Sequence, residues 1–248
     1  MLTKRILAIA LITFFAASCS RAAEMEPTEW IDAYVYHADK TDLPRVLLIG
    51  DSIARGNEVY VAAAGGLSEP ILQRSPSVAE SVASALAGQA YIGYFSTSWP
   101  AESLYYTPLL AAFLDRHNSD LIFFNSGLHG TGTADEYRAG LNRALDAFGD
   151  APVCWMTTTP IRATSTTLSA ANATVLSRNA IAAEVMAARG VPTLDLYALV
   201  VGHPEYASPN DNLHYNDLGK SVMAAAIAAK ALEMLPGPSS APNWTGYR

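Results

Sequence analysis

The feature that most limits how this chain can fold is a rhythm. Five short apolar runs of strand length alternate with stretches long enough for a helix. The runs are 45–50 (RVLLIG), 90–95 (AYIGYF), 121–125 (LIFFN), 153–158 (VCWMTT) and 191–197 (VPTLDLY). A strand with one wet face alternates apolar and polar residues, but these runs are nearly continuous, as parallel strands covered on both faces are. Helices are expected between them. Ser75-Pro76 reads as an N-cap followed by a first-turn proline, and 134–148 sets Tyr137, Leu141, Leu145 and Phe148 on one stripe. The stretches 172–189 and 217–235 are alanine-rich helix formers. This alternation predicts an α/β chain: a doubly wound, three-layer αβα sandwich around a five-stranded, mainly parallel sheet.

Composition agrees with a single domain spanning about 45–236. Half of the 248 residues are apolar, only 16% are charged, and no low-complexity tract interrupts them. Residues 23–44 read as an acidic, proline-punctuated arm holding Trp30, Tyr34 and Tyr36, with a short helix expected near Trp30. Residues 237–248 read as a tail. Residues 1–22 have the form of an export signal, with basic Lys4 and Arg5 before an apolar run too short to span a bilayer. Ala16-Ala17-Ser18-Cys19 resembles a lipoprotein box that would leave a lipid anchor on Cys19, and an ordinary cleavage near Ser20-Arg21-Ala22 is the alternative. Either places the protein outside the cytoplasm: periplasmic, extracellular or anchored at the envelope.

Removing 1–22 strips Lys4, Arg5 and Arg21 and no acid, taking the formal charge from −7 to −10. A chain this acidic has no electrostatic reason to bind nucleic acid. Cys19 and Cys154 are the two cysteines, so no disulfide framework is expected, and Cys154 reads as a buried strand residue. Gly127, Gly130 and Gly132 lack the spacing of a dinucleotide fingerprint.

The chemistry sits at the ends of the runs. The first leads into Gly50-Asp51-Ser52, the third into Asn125-Ser126-Gly127-Leu128-His129, and Asp211-Asn212-Leu213-His214 precedes the last helix. In an open parallel sheet, ligands bind beyond the carboxyl ends of the strands, so these segments can meet. A serine hydroxyl needs a base to become a nucleophile, and His214 can take its proton. Asp211, three residues earlier, can hold the other ring nitrogen. The α/β-hydrolase elbow G-x-S-x-G is absent.

In order and spacing, LLIGDSIARG, FFNSGLHG, TTTP, GVPTLDLYALV and DNLHYNDLGKSVMA together resemble the SGNH/GDSL hydrolases, in a bacterial subgroup with a GLH third block. The resemblance covers about 45–235. It implies a flavodoxin-like sandwich without metal or organic cofactor, acting on esters, often acetyl or other short acyl groups on carbohydrates. Carried over by position, Ser52 is the nucleophile and a source of one oxyanion N–H, His214 the base and Asp211 its partner. Two positions depart from the pattern. His129 stands where the third block usually has an asparagine, so the side-chain donor is either His129 or Asn125. After Tyr94-Phe95 no glycine occupies the second-block position, where a backbone N–H of Ser98 or Trp99 can serve instead.

Plainer roles stand beside these. Asp51 reads as a turn and cap residue, Asp211 is compatible with a surface turn, and His129 and Asn125 with structural positions. His37, His117 and His203 carry no pattern, and Arg55 reads as a surface charge. Trp99, Tyr105 and Tyr106 suit either a substrate pocket or packing. The segments 56–75, 96–107 and 161–169 are expected to set the substrate. Two other classes remain open on the sequence: a non-catalytic glycan-binding protein on the same scaffold, and an acyltransferase.

Overall fold

A computed structural model describes residues 31–35, 43–55, 61–62, 72–73, 76–115, 117–162, 164–209 and 211–235. The export signal with Cys19, the 237–248 tail, His37 and Trp30 lie outside the described residues.

One six-stranded sheet organises the rest. Its strands are β1 (Ile31–Val35), β2 (Arg45–Gly50), β5 (Tyr91–Thr97), β6 (Leu121–Phe124), β7 (Val153–Met156) and β8 (Thr193–Leu194). They lie in the order β1-β5-β2-β6-β7-β8. The five expected strands are mutually parallel, with Val46 opposite both Ile92 and Leu121. β1 is the addition. It pairs antiparallel with β5, Ile31 opposite Thr97 and Val35 opposite Gly93. The helix expected beside Trp30 is therefore replaced by a strand over these residues. IDAYV alternates apolar and polar residues with β-branched ends, a pattern suited to an edge strand. A separate two-stranded ribbon, β3 (Val61–Ala62) with β4 (Leu72–Gln73), stands within 56–75, one of the segments expected to set the substrate.

The remaining elements are α1 (Ser52–Arg55), α2 (Val78–Ala85), α3 (Tyr106–Leu114), α4 (Ala134–Ala147), α5 (Thr166–Ala188), α6 (Leu196–Val200), a 3-10 turn at Pro204–Tyr206 and α7 (Asp217–Met234). β2 shows why its apolar run is continuous. Val46 and Leu48 enter one core with Val78, Val82, Met223 and Ile227 of α2 and α7. Leu47 and Ile49 enter a second core with residues of α3, α4 and α5, including Leu110, Tyr137, Leu141 and Val185. Each such side chain contributes roughly 1.5–3 kcal/mol by leaving water, so neither face tolerates polar residues. The result is the three-layer sandwich.

Helix starts follow their caps. Ser77 and Glu80 form a capping box for α2, two residues beyond the serine expected to begin it. Thr133 and Glu136 do the same for α4, and Ser165 starts α5 six residues before the expected position. The run 191–197 divides, because Asp195 caps α6 through its bond from the Ala198 N–H and ends β8 early. Among the described residues no helix is long and apolar enough to cross a membrane.

Candidate active site

From β2 the chain crosses to β5 on one side and later returns to β6 on the other. The carboxyl end of β2 is thus the point where strand order reverses, the position that forms a crevice in open α/β sheets. Ser52 sits there as the first residue of α1, 8% exposed. Asp51 shapes the turn. Its Oδ1 accepts the Ile53 N–H at 2.8 Å, and its carbonyl accepts the Ser96 hydroxyl at 2.7 Å.

His214 reaches the serine from the loop before α7. Its Nε2 lies 2.9 Å from Ser52 Oγ, across 162 residues of chain. Its Nδ1 lies 2.7 Å from Asp211 Oδ2. The other Asp211 oxygen accepts the N–H groups of Leu213 and His214, both at 2.7 Å. One tight turn therefore carries both Asp211 and His214. That turn is tied down by Ser208 N–H to His214 O at 2.9 Å, and Asn216 N–H to Tyr206 O at 2.9 Å. Arg162 braces it from the segment after β7. Its N–H reaches Asn212 O at 3.0 Å, and its guanidinium donates to Asp211 O at 2.5 Å and lies over the Tyr215 ring.

Two carboxyls here are driven in opposite directions. Partial burial pulls Asp211 upward, but the His214 N–H, the imidazole and the Leu213 N–H outweigh it and hold the carboxyl below its ordinary value. Asp51 is fully enclosed, and burial raises it against the pull of His129, the Ile53 N–H and His214. The lowered value favours the ionised form of Asp211 beside the His214 ring.

The opposite wall comes from the loops after β5 and β6. Asn125 is buried, and its amide donates to Met156 O at 2.8 Å and Thr158 Oγ1 at 3.1 Å. Both amide hydrogens are thereby committed to the floor between β6 and β7. Gly127 packs so tightly on Thr158 that a Cβ there would stand 2.1 Å from Thr158 Oγ1. His129, Trp99 and Asn125 line one small open pocket with Gly50, Asp51, Thr97, Tyr106, Ser126 and Gly127. Three buried polar atoms on this wall, His129 Nε2, Trp99 Nε1 and Tyr106 OH, find no hydrogen-bond partner among the described residues. At the rim, Trp99 packs against Tyr105 with ring centroids 5.1 Å apart, and Leu104 and Tyr105 are the most exposed large apolar residues described.

Ser52, Asp211 and His214 are thus brought together, and His129 lines the neighbouring wall. Asn125 lines the same pocket, its amide turned to Met156 and Thr158. Cys154 is fully buried on β7, its thiol pushed up to about 11 by burial. His117 lies against Phe113, and His203 stacks on Tyr206 beside Glu205. Arg162 was not anticipated from sequence, nor was a buried pair of Glu102 with Arg178. Nothing local distinguishes these charges from surface ones.

No family model matches the chain, and no curated protein matches it in sequence. Solved structures do match in fold. A lipase/acylhydrolase from Enterococcus faecalis is 21% identical, covering 80% of this chain and 100% of its own, with a TM-score of 0.58. A carbohydrate acetylesterase from Sinorhizobium meliloti is 15% identical over 77% of this chain and 100% of its own, with a TM-score of 0.57. An acetylxylan esterase from Geobacillus stearothermophilus is 15% identical over 75% of this chain and 93% of its own, with a TM-score of 0.55. The fold expected from the SGNH/GDSL resemblance is the fold found.

Proposed function

We propose that the protein is a serine esterase that hydrolyses carboxylic esters, with short acyl groups on carbohydrates as its substrate class. The observation that carries this reading is the single imidazole spanning Ser52 Oγ at 2.9 Å and Asp211 at 2.7 Å. Nucleophile, base and orienting acid meet in the arrangement that acyl transfer requires.

The reaction runs in two halves. Ser52 Oγ attacks the ester carbonyl carbon while its proton passes to His214 Nε2. The tetrahedral intermediate collapses, Nε2–H protonates the departing alkoxide, and the acyl group remains on Ser52. Water then gives a proton to Nε2 and attacks the acyl carbon. The Ser52–acyl bond breaks, Oγ recovers the proton, and the carboxylic acid leaves. Asp211 holds the imidazole in one tautomer and steadies its positive charge in both halves.

The negative oxygen of each intermediate needs donors. Ser52 supplies its backbone N–H. Both residues line the same pocket, and His129 is the better side-chain candidate because its Nε2 has no partner while the Asn125 amide is committed to Met156 and Thr158. The small neighbouring pocket suits a short acyl group, and the exposed Leu104 and Tyr105, with the partly buried Trp99 packed against Tyr105, suit a sugar or apolar alcohol. Two of the fold relatives are carbohydrate acetylesterases or acetylxylan esterases. Action outside the cytoplasm follows if residues 1–22 direct export.

The test pairs p-nitrophenyl esters of increasing acyl length with a fluorophosphonate probe, on wild type and Ser52→Ala. The expected result is turnover highest for acetyl, with labelling and turnover both lost in the variant. A wild type that neither labels nor turns over, or a Ser52→Ala protein that matches it, overturns the reading. Competing sugar acceptors in the same assay separate hydrolysis from acyl transfer.

A further inference from the structure

The loop after β5 and the loop after β6 both face the site, and a third element joins them. Arg178 of α5 and Glu102 form an ion pair with side chains only 6% and 8% exposed. Nη2 meets Glu102 Oε1 at 2.6 Å and Nη1 meets Oε2 at 3.4 Å, the two-pronged geometry available to arginine but not to lysine. The same Nη1 donates to the His129 carbonyl at 3.1 Å. Arg178 also lies over the Tyr137 ring, 4.6 Å from its centroid, and the Tyr137 hydroxyl donates to Ser126 O. Glu102 Oε1 accepts the Gly132 N–H at 3.3 Å, and the Ala101 N–H donates to Ser126 Oγ at 3.1 Å. Gly130, at φ +110°, allows the carboxylate to come this close, since a Cβ there would stand 2.1 Å from Glu102 Oε1.

These contacts flank His129 on both sides and fix its carbonyl directly. A buried ion pair is a poor source of net stability, because desolvating both charges offsets most of their attraction. What it provides is a fixed geometry. We propose that Glu102 and Arg178 are positioning residues for the oxyanion side of the site: their ion pair locks the loop after β5 to the loop after β6 and so sets where the His129 imidazole stands relative to Ser52. The inference rests on the esterase reading, and it assigns the pair a role in transition-state geometry rather than in substrate binding.

The test replaces the pair by apolar groups of similar volume, Glu102→Leu with Arg178→Met. Such exchanges often leave stability near wild type, and loss of the partners of the His129 carbonyl and Gly132 N–H sets a modest fall in Tm as the expected result for a folded protein. The kcat for p-nitrophenyl acetate falls about 10²-fold, as for a misplaced catalytic group, with KM close to wild type. Made in a His129→Ala background, the same exchange costs much less, because the group it positions is already gone. Arg178→Lys, which keeps the charge but not the fork, shows the same pattern at smaller size. Equal losses in both backgrounds, or a wild-type kcat in the double variant, overturn the proposal. So does an unfolded double variant alongside an Arg178→Lys protein of wild-type kcat, which assigns the pair to folding alone. A wild type without Ser52-dependent turnover brings down the esterase reading instead, and this inference with it.

Discussion

The two sides of the site are built on different scales. On the base side, acid and base lie three residues apart in one turn, and the acid's two oxygens satisfy the imidazole and the turn's own N–H groups. On the proposed oxyanion side, Glu102, His129 and Arg178 come from three separate segments, and a buried ion pair between residues 76 apart joins them. The base side tolerates an acid with 38% of its side chain exposed, while the oxyanion side is enclosed. A short-range device can sit at the surface, because its geometry is carried by the local backbone. A long-range device has no such support and must be buried to hold its shape.

That contrast can be broken most sharply at the serine and the base. Ser52→Ala or His214→Ala is expected to lower kcat on the order of 10⁶-fold, read by p-nitrophenyl acetate turnover with the fold checked by circular dichroism. Asp211→Asn should cost on the order of 10⁴-fold, since the amide favours the wrong tautomer. Its thermal stability should also change with pH in a defined direction. A depressed carboxyl contributes stability present above its unfolded value and lost as the pH falls through its folded one. The Tm advantage of wild type over Asp211→Asn should therefore shrink in acid.

The oxyanion side is sharpened by a pair of variants. His129→Ala should lower kcat about 10²–10³-fold with little change in Tm. Asn125→Ala should instead destabilise by about 1–3 kcal/mol in urea titration, because it leaves the buried Met156 carbonyl without its donor. If Asn125→Ala gave the larger kcat loss in a stable protein, the donor assignment would be reversed. The smallest effect is expected at Asp51. Its carboxyl is raised by burial, so ionising it opposes folding, and stability is lost as pH rises from the unfolded value through the folded one. Asp51→Asn should remove that loss, and its Tm relative to wild type should rise with pH across that window.

The same difference of scale governed what could be read from the residues. The five parallel strands were legible because burial on both faces writes a continuous apolar run, as in RVLLIG. β1 was misread because an edge strand needs only alternation, and its five residues lie in an acidic, proline-flanked arm. α3 was missed because its N-cap, Tyr105, makes no side-chain capping bond and Pro108 stands in its first turn. Asp211 and His214 were legible as a pair because their spacing alone allows the turn. Glu102 and Arg178 were not, since an arginine in an alanine-rich helix looks like any solvated charge until its partner is placed. The choice between His129 and Asn125 stayed open for the same reason: both side chains can donate, and only the position of Met156 and Thr158 separates them.

Because Asp211 and His214 share one turn, displacement of that loop carries them together and leaves their mutual distance nearly untouched. Such a displacement instead alters the gap between Nε2 and the serine oxygen, together with the Arg162 contacts that hold the turn. On the proposed mechanism, activation of Ser52 depends on where this turn stands, and Arg162 holds the turn through the Asp211 and Asn212 carbonyls.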